Sequence, residues 1–411
     1  ASVEQIFLFV NPKSGGNKGE VFLKAPQPFV VDVGGGRQVN LNIFSLLVGE
    51  SGKKPGFLKL KEVCQSSGRP VRCIVGGGDG TVMWADTEAA KVGIDTQKQI
   101  WFGIVPLGTG NDFSRVAGWG GNNPQNVEAH GFERLKRLVR SWSLAMPRPH
   151  DVWQVTLTVR PTVGKIMNIG DSKVEEDIGV ASKTFSMINY FSIGQESKVG
   201  IHFDKHRTKS QTCNLFVYAG AGLGQELSCW NRQDISQIVS NLIQGTDHSG
   251  FVILDSESDK GEPELQGSPE SLMFLNIDSY AGGNAHFWQL DTESGVEPPH
   301  ESKWIDVKQD PGDGRLEVVT LPNISDIPLD KLSHNAKRVF SGGPYFIEYW
   351  QKEDSNDSDV HAYCEVDGEF YHMINPDSTL LKLQKKLQVL QHVGEDDPDS
   401  SDDEDDVNYT C

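Results

Sequence analysis

Apolar residues in the first third of the chain come in short, nearly unbroken runs. Ile6-Phe7-Leu8-Phe9-Val10 has no polar interruption, residues 71–75 are broken only by Arg72, and Ile100-Trp101-Phe102-Gly103-Ile104-Val105 follows in the same style. Runs of this length, bounded by turn residues, read as strands buried on both faces of a parallel sheet. Between and after them Val82, Met83, Ala85, Ala89, Ala90 and Val92 recur at roughly helical spacing, as do Phe132, Leu135, Leu138 and Val139. Strand–loop–helix units predict a mostly parallel sheet with helices on both faces. All three runs end in glycine-rich loops, and ligands of such folds bind at the carboxyl ends of the strands.

The pattern changes after Pro147-Arg148-Pro149. Residues 152–159 read as a strand with one exposed face, and 186–191, 215–218, 251–254, 272–277, 316–321 and 346–350 are further short strand-like runs. Many short strands with few helical patterns predict a mainly antiparallel second domain. Residues 160–184, 255–271 and 352–359 are polar and irregular and read as loops or insertions. The expected organisation is an α/β domain over 1–149, a β-rich domain over 150–393 and a disordered acidic tail over 394–411.

The loop after the second run, Gly76-Gly77-Gly78-Asp79-Gly80-Thr81, carries the first candidate chemistry. Glycines let backbone N–H groups approach a phosphate closely, and a helix start behind them favours an anion. Asp79 has the wrong charge for phosphate unless a metal ion stands between, so the segment points to a Mg²⁺-nucleotide site. It is not a dinucleotide fingerprint, because Thr81 stands where the last glycine belongs, and no Gly-Lys-Ser/Thr of a P-loop occurs in the chain. The other two loops add Lys13, Ser14 and two glycines, and Gly108, Thr109, Gly110, Asn111 and Asp112. Each alone reads equally well as turn chemistry; three in successive units converge on one nucleotide site.

Composition narrows the classes. Hydrophobic residues make up 37% of the 411, with 9 Trp and 19 Phe, enough for sizeable cores in two or three domains. No stretch approaches a membrane span, and residues 1–5 run straight into a strand rather than forming a signal peptide. Six cysteines at 64, 73, 213, 229, 364 and 411 include no C-x-x-C, which argues against zinc and against a disulfide framework and for a reducing, cytoplasmic setting. The net charge of −19 is uneven: residues 1–150 hold 18 Lys and Arg against 12 Asp and Glu, a net of +6, and the remainder is −25. That balance excludes a nucleic-acid binder with clustered basic residues and argues against adsorption to an anionic membrane as the main attachment. Residues 395–406 supply nine acidic groups and no basic one, the composition of a disordered tail.

At this point the residues carry a resemblance. The chain resembles the diacylglycerol kinases of the eukaryotic type. Asn11-Pro12-Lys13-Ser14-Gly15-Gly16, Gly77-Gly78-Asp79-Gly80-Thr81 and Pro106-Leu107-Gly108-Thr109-Gly110-Asn111-Asp112 are similar to the three nucleotide-site motifs of that catalytic domain, and Trp119-Gly120-Gly121 stands where the family often has Trp-Gly-Gly. Asn189-Tyr190-Phe191-Ser192-Ile193-Gly194, residues 203–207, residues 275–283, residues 313–319 and Val366-Asp367-Gly368-Glu369 match the accessory domain in order. Gly-Gly-Asp-Gly alone is shared with sphingosine, NAD and phosphofructokinase-type kinases; the accessory motifs are more specific.

The resemblance implies a phosphofructokinase/NAD-kinase-like first domain, a β-sandwich-like second domain, ATP and Mg²⁺ as cofactors, and transfer of a phosphoryl group to diacylglycerol at a membrane met peripherally. It implies catalytic roles for Asp79, Asp313 and Glu369, metal contacts for Asp79 and Asp313, and nucleotide contacts for Asn11, Pro12, Lys13, Ser14, Gly15, Gly16, Gly77, Gly78, Gly80, Thr81, Gly108, Thr109, Gly110, Asn111 and Arg207. Which carboxylate takes the acceptor's proton stays open, since Asp-Gly at 313–314 and 367–368 is also ordinary hairpin chemistry. The family's cysteine-rich zinc modules are missing from this chain. Where the family commonly carries a Lys near Asn214 this chain has Leu215; the resemblance then implies Arg207 or Lys209 as the substitute for that phosphate contact. The alternatives are a sphingoid-base or ceramide kinase of the same superfamily, and a catalytically silent lipid- or nucleotide-binding scaffold.

Overall fold

The computed structural model describes residues 3–169, 174–206, 234–256, 269–288, 308–321, 336–351 and 359–393. Two compact units emerge. The first takes residues up to His150, the short segment Ser279–Gly283 and the chain from Lys386 onward; the second takes Asp151–Asp278 and Asn284–Lys385.

In the first unit β1 (Glu4–Val10), β2 (Phe29–Gly34), β3 (Arg37–Ser45), β4 (Val71–Gly77) and β5 (Ile100–Pro106) form one sheet in the order β5-β4-β1-β3-β2. The strands β3, β1, β4 and β5 run parallel, and β2 returns antiparallel beside β3. Helices α1 (Pro55–Ser66), α2 (Asp79–Lys91), α3 (Asp112–Val116) and α4 (Ala129–Leu144) connect and cover them. The apolar run of β1 is fully buried, with Phe9 stacked on Phe57 of α1 at 4.0 Å between ring centroids. That approach needs Gly56, where a Cβ would come within 2.6 Å of Phe44 and 2.7 Å of Phe9. The strands β2 and β3 and helix α1 gave no unbroken apolar run. In β2 Phe29 and Val31 are buried while Val30 is exposed, so this hairpin alternates instead. The far end of the last strand, Pro376–Gln391, joins the sheet parallel to β5, with Val389 opposite Phe102.

The second unit is antiparallel, as its sequence pattern predicts. Strands Tyr190–Gly194, Ser271–Leu275, Leu316–Leu321, Lys337–Gly342, His361–Val366 and Glu369–Ile374 belong to one sheet. Val239–Gln244, Phe251–Asp255 and Tyr345–Tyr349 form part of another, together with the start of the last strand. Trp153, Leu157, Phe191, Ile193, Phe274, Val318, Tyr345 and Ile347 from these strands and from Met146–Val159 share one buried core, the arrangement of a β-sandwich.

The expectation of irregular structure over 160–184 is corrected. Lys165–Ile169 pairs antiparallel with Glu175–Asp177 and with Glu369–Ile374, and Ser182–Met187 pairs with Met146–Val159. Of Lys165–Ile169 only Ile166 is buried, so these strands are held by backbone ladders and cross-strand pairs such as Thr156 with Thr184 rather than by an apolar run. The run read over 186–191 divides into Ser182–Met187 and Tyr190–Gly194, followed by a helix, Gln195–His206. The expected strand at 215–218, most of 255–271, most of 352–359 and the acidic tail lie outside the described residues. No helix among the described residues is long and apolar enough to cross a membrane.

Candidate active site

Three loops leave the carboxyl ends of β1, β4 and β5, and backbone contacts tie them together. The Asn11 N–H donates to the Gly76 carbonyl at 2.8 Å, and the Leu107 N–H donates to the Gly77 carbonyl at 3.0 Å. Gly108 and Gly78 lie backbone against backbone: a Cβ at Gly108 would stand 2.7 Å from the Gly78 Cα. Glycine at 108 is a packing requirement, because a side chain there would wedge the loops apart, whereas a Cβ on Gly78 would meet the Gly108 Cα only at 3.4 Å.

Asp79 opens α2, with Gly78 as the extended residue before it. The Phe113 N–H, at the start of α3, donates to Asp79 Oδ2 at 3.2 Å. Thr81, two residues on, covers Gly77 so closely that a Cβ there would meet its Oγ1 at 2.3 Å. Gly80 is open, with nothing within 4 Å of a Cβ. The turn therefore presents a carboxylate and backbone groups at a helix N-terminus, on the edge where the other two loops emerge.

Asn111 fixes the third loop. It adopts a left-handed conformation with φ of 58°, which Asn tolerates well. Its Oδ1 accepts the Gly108 N–H at 2.9 Å, and its Nδ2 donates to the Gly108 carbonyl at 3.0 Å and the Gly121 carbonyl at 2.8 Å. Asn111 is thus buried scaffolding beneath Gly108 and exposed Thr109. Trp119 anchors the following segment by donating from Nε1 to the Leu390 carbonyl at 2.8 Å.

The first loop turns left-handed at Gly15 (φ 61°), Gly16 (φ 69°) and Asn17 (φ 74°). Lys13 is exposed, and its N–H donates to Asn11 Oδ1 at 3.2 Å. The Ser14 N–H donates to the Asn11 carbonyl at 3.1 Å. Successive N–H groups in such turns form anion-binding concavities.

The structure thus gathers the candidates from Asn11 to Gly16, Gly77 to Thr81 and Gly108 to Asn111 on one edge of the first unit. Asp313 and Glu369 belong to the second unit. Asp313 sits in a tight turn, where its Oδ1 accepts the Arg315 N–H at 2.9 Å; burial pushes its carboxyl above the ordinary range, against the effect of that bond. Glu369 is exposed beside a hairpin turn, with Oε2 accepting the Tyr371 hydroxyl at 2.8 Å. Arg207 and Lys209 lie outside the described residues.

The sequence reading placed Asp112 and Asp367 inside motifs but did not show what either carboxylate holds. Asp112 is buried and accepts three bonds from Ser279, Gly282 and Gly283. Asp367 accepts three backbone N–H bonds from Ile188, Asn189 and Tyr190. Both carboxylates stand inside recognisable motifs, but their partners lie 167 or more residues away in sequence, which no local pattern conveys.

Residues 5–140 match the family model described as the diacylglycerol kinase catalytic domain, and residues 186–370 match the diacylglycerol kinase accessory domain. The chain is 29% identical over 322 residues to the eye-specific diacylglycerol kinase of Drosophila melanogaster, covering 77% of this chain and 18% of that one. It is 25% identical over 416 residues to diacylglycerol kinase 7 of Arabidopsis thaliana, covering 94% and 80% respectively. A solved diacylglycerol kinase structure from Bacillus anthracis is 16% identical and covers 95% of this chain and 98% of its own, with a TM-score of 0.41. The chain spans about a fifth of the length of the fly relative and about a quarter of that of mouse diacylglycerol kinase iota.

Proposed function

We propose that this chain, which belongs to the diacylglycerol kinase family, transfers the γ-phosphoryl group of ATP to the free hydroxyl of 1,2-diacylglycerol, giving phosphatidic acid and ADP. The observation that carries the reading is the contact of Gly108 with Gly78, which joins two phosphate-type loops into one surface beside Asp79.

Phosphoryl transfer asks mainly for positioning and charge neutralisation. Backbone N–H groups of the left-handed turn at Gly15 and Gly16, and of the start of α2, supply fixed donors to the phosphates. Lys13 adds a mobile positive charge at their rim. The scaffolding bonds of Asn111 keep Gly108 and Thr109 in place before the nucleotide arrives, which lowers the ordering cost of binding.

Mg²⁺ commonly binds through one or two carboxylates plus substrate phosphates rather than an all-protein cage. Asp79 fits that donor set: it presents a hard oxygen ligand at a glycine turn on the phosphate edge. When bound, the ion neutralises phosphate charge as the γ-group transfers. Asp79 would hold it, with Asp313 as the second candidate, and Glu369 and Asp79 are the candidates to orient or deprotonate the acceptor hydroxyl. Contact with the bilayer is peripheral in this reading.

The reading is tested with purified chain, ATP, Mg²⁺ and a panel of dispersed acceptors: diacylglycerol, a sphingoid base and ceramide. Phosphatidic acid formation well above an Asp79→Ala control is the expected result. Phosphorylation of a sphingoid base or ceramide instead would replace the acceptor, and ATP binding without turnover would make the chain a scaffold.

A further inference from the structure

Asn123 lies three residues beyond the Trp119-Gly120 pair and is only 4% exposed. Neither its Oδ1 nor its Nδ2 has a hydrogen-bond partner among the described residues. Its main chain is well held, because Gln125 Nε2 donates to the Asn123 carbonyl at 2.9 Å and Asn111 Nδ2 donates to the nearby Gly121 carbonyl. Leaving a buried amide unsatisfied costs free energy that folding does not recover.

The direction of that amide is informative. Its Nδ2 stands 2.9 Å from the place a Cβ would occupy on Gly15, with the Leu107 carbonyl 2.8 Å from the same point. The amide therefore abuts the left-handed turn of the first loop, where Gly15, Gly16 and Asn17 all have positive φ. Gly15 allows the approach: any other residue would fill the gap between the turn and Asn123. A concavity of backbone N–H groups with a side-chain NH₂ at its wall suits a polyanion.

We propose that Asn123 is a nucleotide-binding residue whose Nδ2 donates to the phosphate chain of the nucleotide at the Gly15–Gly16 turn. The inference rests on the ATP-dependent reading above. It gives the phosphate site a wall from outside the three glycine-rich loops, and it gives the buried amide a partner when the site fills. An amide suits the position better than a carboxylate, because it donates to phosphate without adding repulsion.

Binding of ATP, GTP and inorganic tripolyphosphate, each with Mg²⁺, is measured by calorimetry on the whole chain for wild type, Asn123→Ala and the isosteric Asn123→Asp. Asn123→Ala is expected to weaken all three by about tenfold, the scale of one hydrogen bond to a charged group. Asn123→Asp is expected to weaken them further, while the KM for diacylglycerol stays put. Should Asn123→Ala fail to fold, Asn123→Asp keeps the shape of the side chain and carries the comparison alone. Wild-type affinity for all three ligands in a folded variant overturns the proposal and leaves a packing role. Loss of ATP binding with GTP and tripolyphosphate unchanged also overturns it, assigning the amide to the base. A wild-type chain that binds none of the three overturns this inference together with the kinase reading, whereas wild-type binding that Asn123→Ala leaves intact overturns the inference alone.

Discussion

Asp112 Oδ1 accepts the hydroxyl of Ser279 at 2.6 Å, although 167 residues separate them in sequence. The same carboxylate accepts the Gly282 N–H on Oδ2 and the Gly283 N–H on Oδ1, each at 3.0 Å. A carboxylate 2% exposed is stable there only because each oxygen is met by donors. The bonds explain why Ser279–Gly283 belongs to the first unit while the chain on either side of it belongs to the second. They also place that segment beside the third loop: a Cβ on Gly110 would stand 3.8 Å from the Gly282 nitrogen.

Removing this clamp is expected to be costly and coupled. Asp112→Asn keeps one acceptor oxygen and turns the other toward donors as an NH₂, so a loss of about 2–3 kcal/mol is expected. Ser279→Ala removes one hydroxyl and should cost about 1 kcal/mol on its own. Because both changes delete the same bond, the double variant should fall short of their sum by about 1 kcal/mol in urea unfolding. Strict additivity would mean the two side chains do not interact.

The contact between Gly108 and Gly78 makes a contrasting pair of glycine substitutions. Gly108→Ala places a methyl 2.7 Å from a backbone Cα and 2.8 Å from Asn111 Oδ1. Neither neighbour can rotate away, so a cost of about 1–3 kcal/mol is expected, with weaker nucleotide binding as the loops separate. Gly80→Ala meets nothing within 4 Å in the first turn of α2, and helix propensity makes it neutral or favourable by up to about 1 kcal/mol. Thermal melts of the two variants side by side check the difference; equal effects would remove close packing as the reason for glycine at 108.

How much of this was legible beforehand follows from range. The runs at 6–10, 71–75 and 100–105 declared their strands because a strand buried on both faces needs unbroken apolar sequence. The glycine loops declared themselves for the same local reason, and the spacing of glycine and carboxylate pointed to phosphate. The β2–β3 hairpin, with alternate faces exposed, and the polar strand Lys165–Ile169 gave no such signal. The clamps made by Asp112 and Asp367 join distant segments through single side chains, and the buried amide of Asn123 looks in sequence like any loop asparagine.

Stability should depend on pH through Glu317. Its Oε1 accepts the Ser341 hydroxyl at 2.8 Å and its Oε2 faces Arg338 Nη1 at 3.3 Å. Burial outweighs both partners and pushes the carboxyl from 4.5 up to about 7. The folded chain then holds this proton more tightly than the unfolded chain, so its contribution is full below about pH 4.5 and is lost as pH rises through about 7. A shift of that size corresponds to roughly 3 kcal/mol. Urea unfolding between pH 5 and 7.5 should show stability falling with pH in wild type and a flatter profile in Glu317→Gln. An unchanged slope in the variant would assign the dependence to other groups.

Asp367 offers the last test, because its carboxylate and its backbone can be separated. It stands at the turn before Glu369 with φ of 49°, a conformation that Asn adopts readily. Its Oδ1 accepts the N–H groups of Asn189 at 2.8 Å and Tyr190 at 3.1 Å, and its Oδ2 accepts that of Ile188 at 2.8 Å. On the other side Asn276 Nδ2 donates to the Ile188 carbonyl at 2.8 Å, so residues 188–190 are gripped from both flanks. Asp367→Asn preserves the turn and leaves at least one buried N–H facing another donor. The expected loss is about 2–4 kcal/mol in urea unfolding. Asp367→Gly also satisfies the positive φ and should cost at least as much, since it deletes all three acceptor contacts. If both variants unfold at the wild-type midpoint, the three bonds contribute nothing net and the segment is held by other contacts, among them Asn276 and the Asp367 N–H to the Tyr190 carbonyl at 3.1 Å.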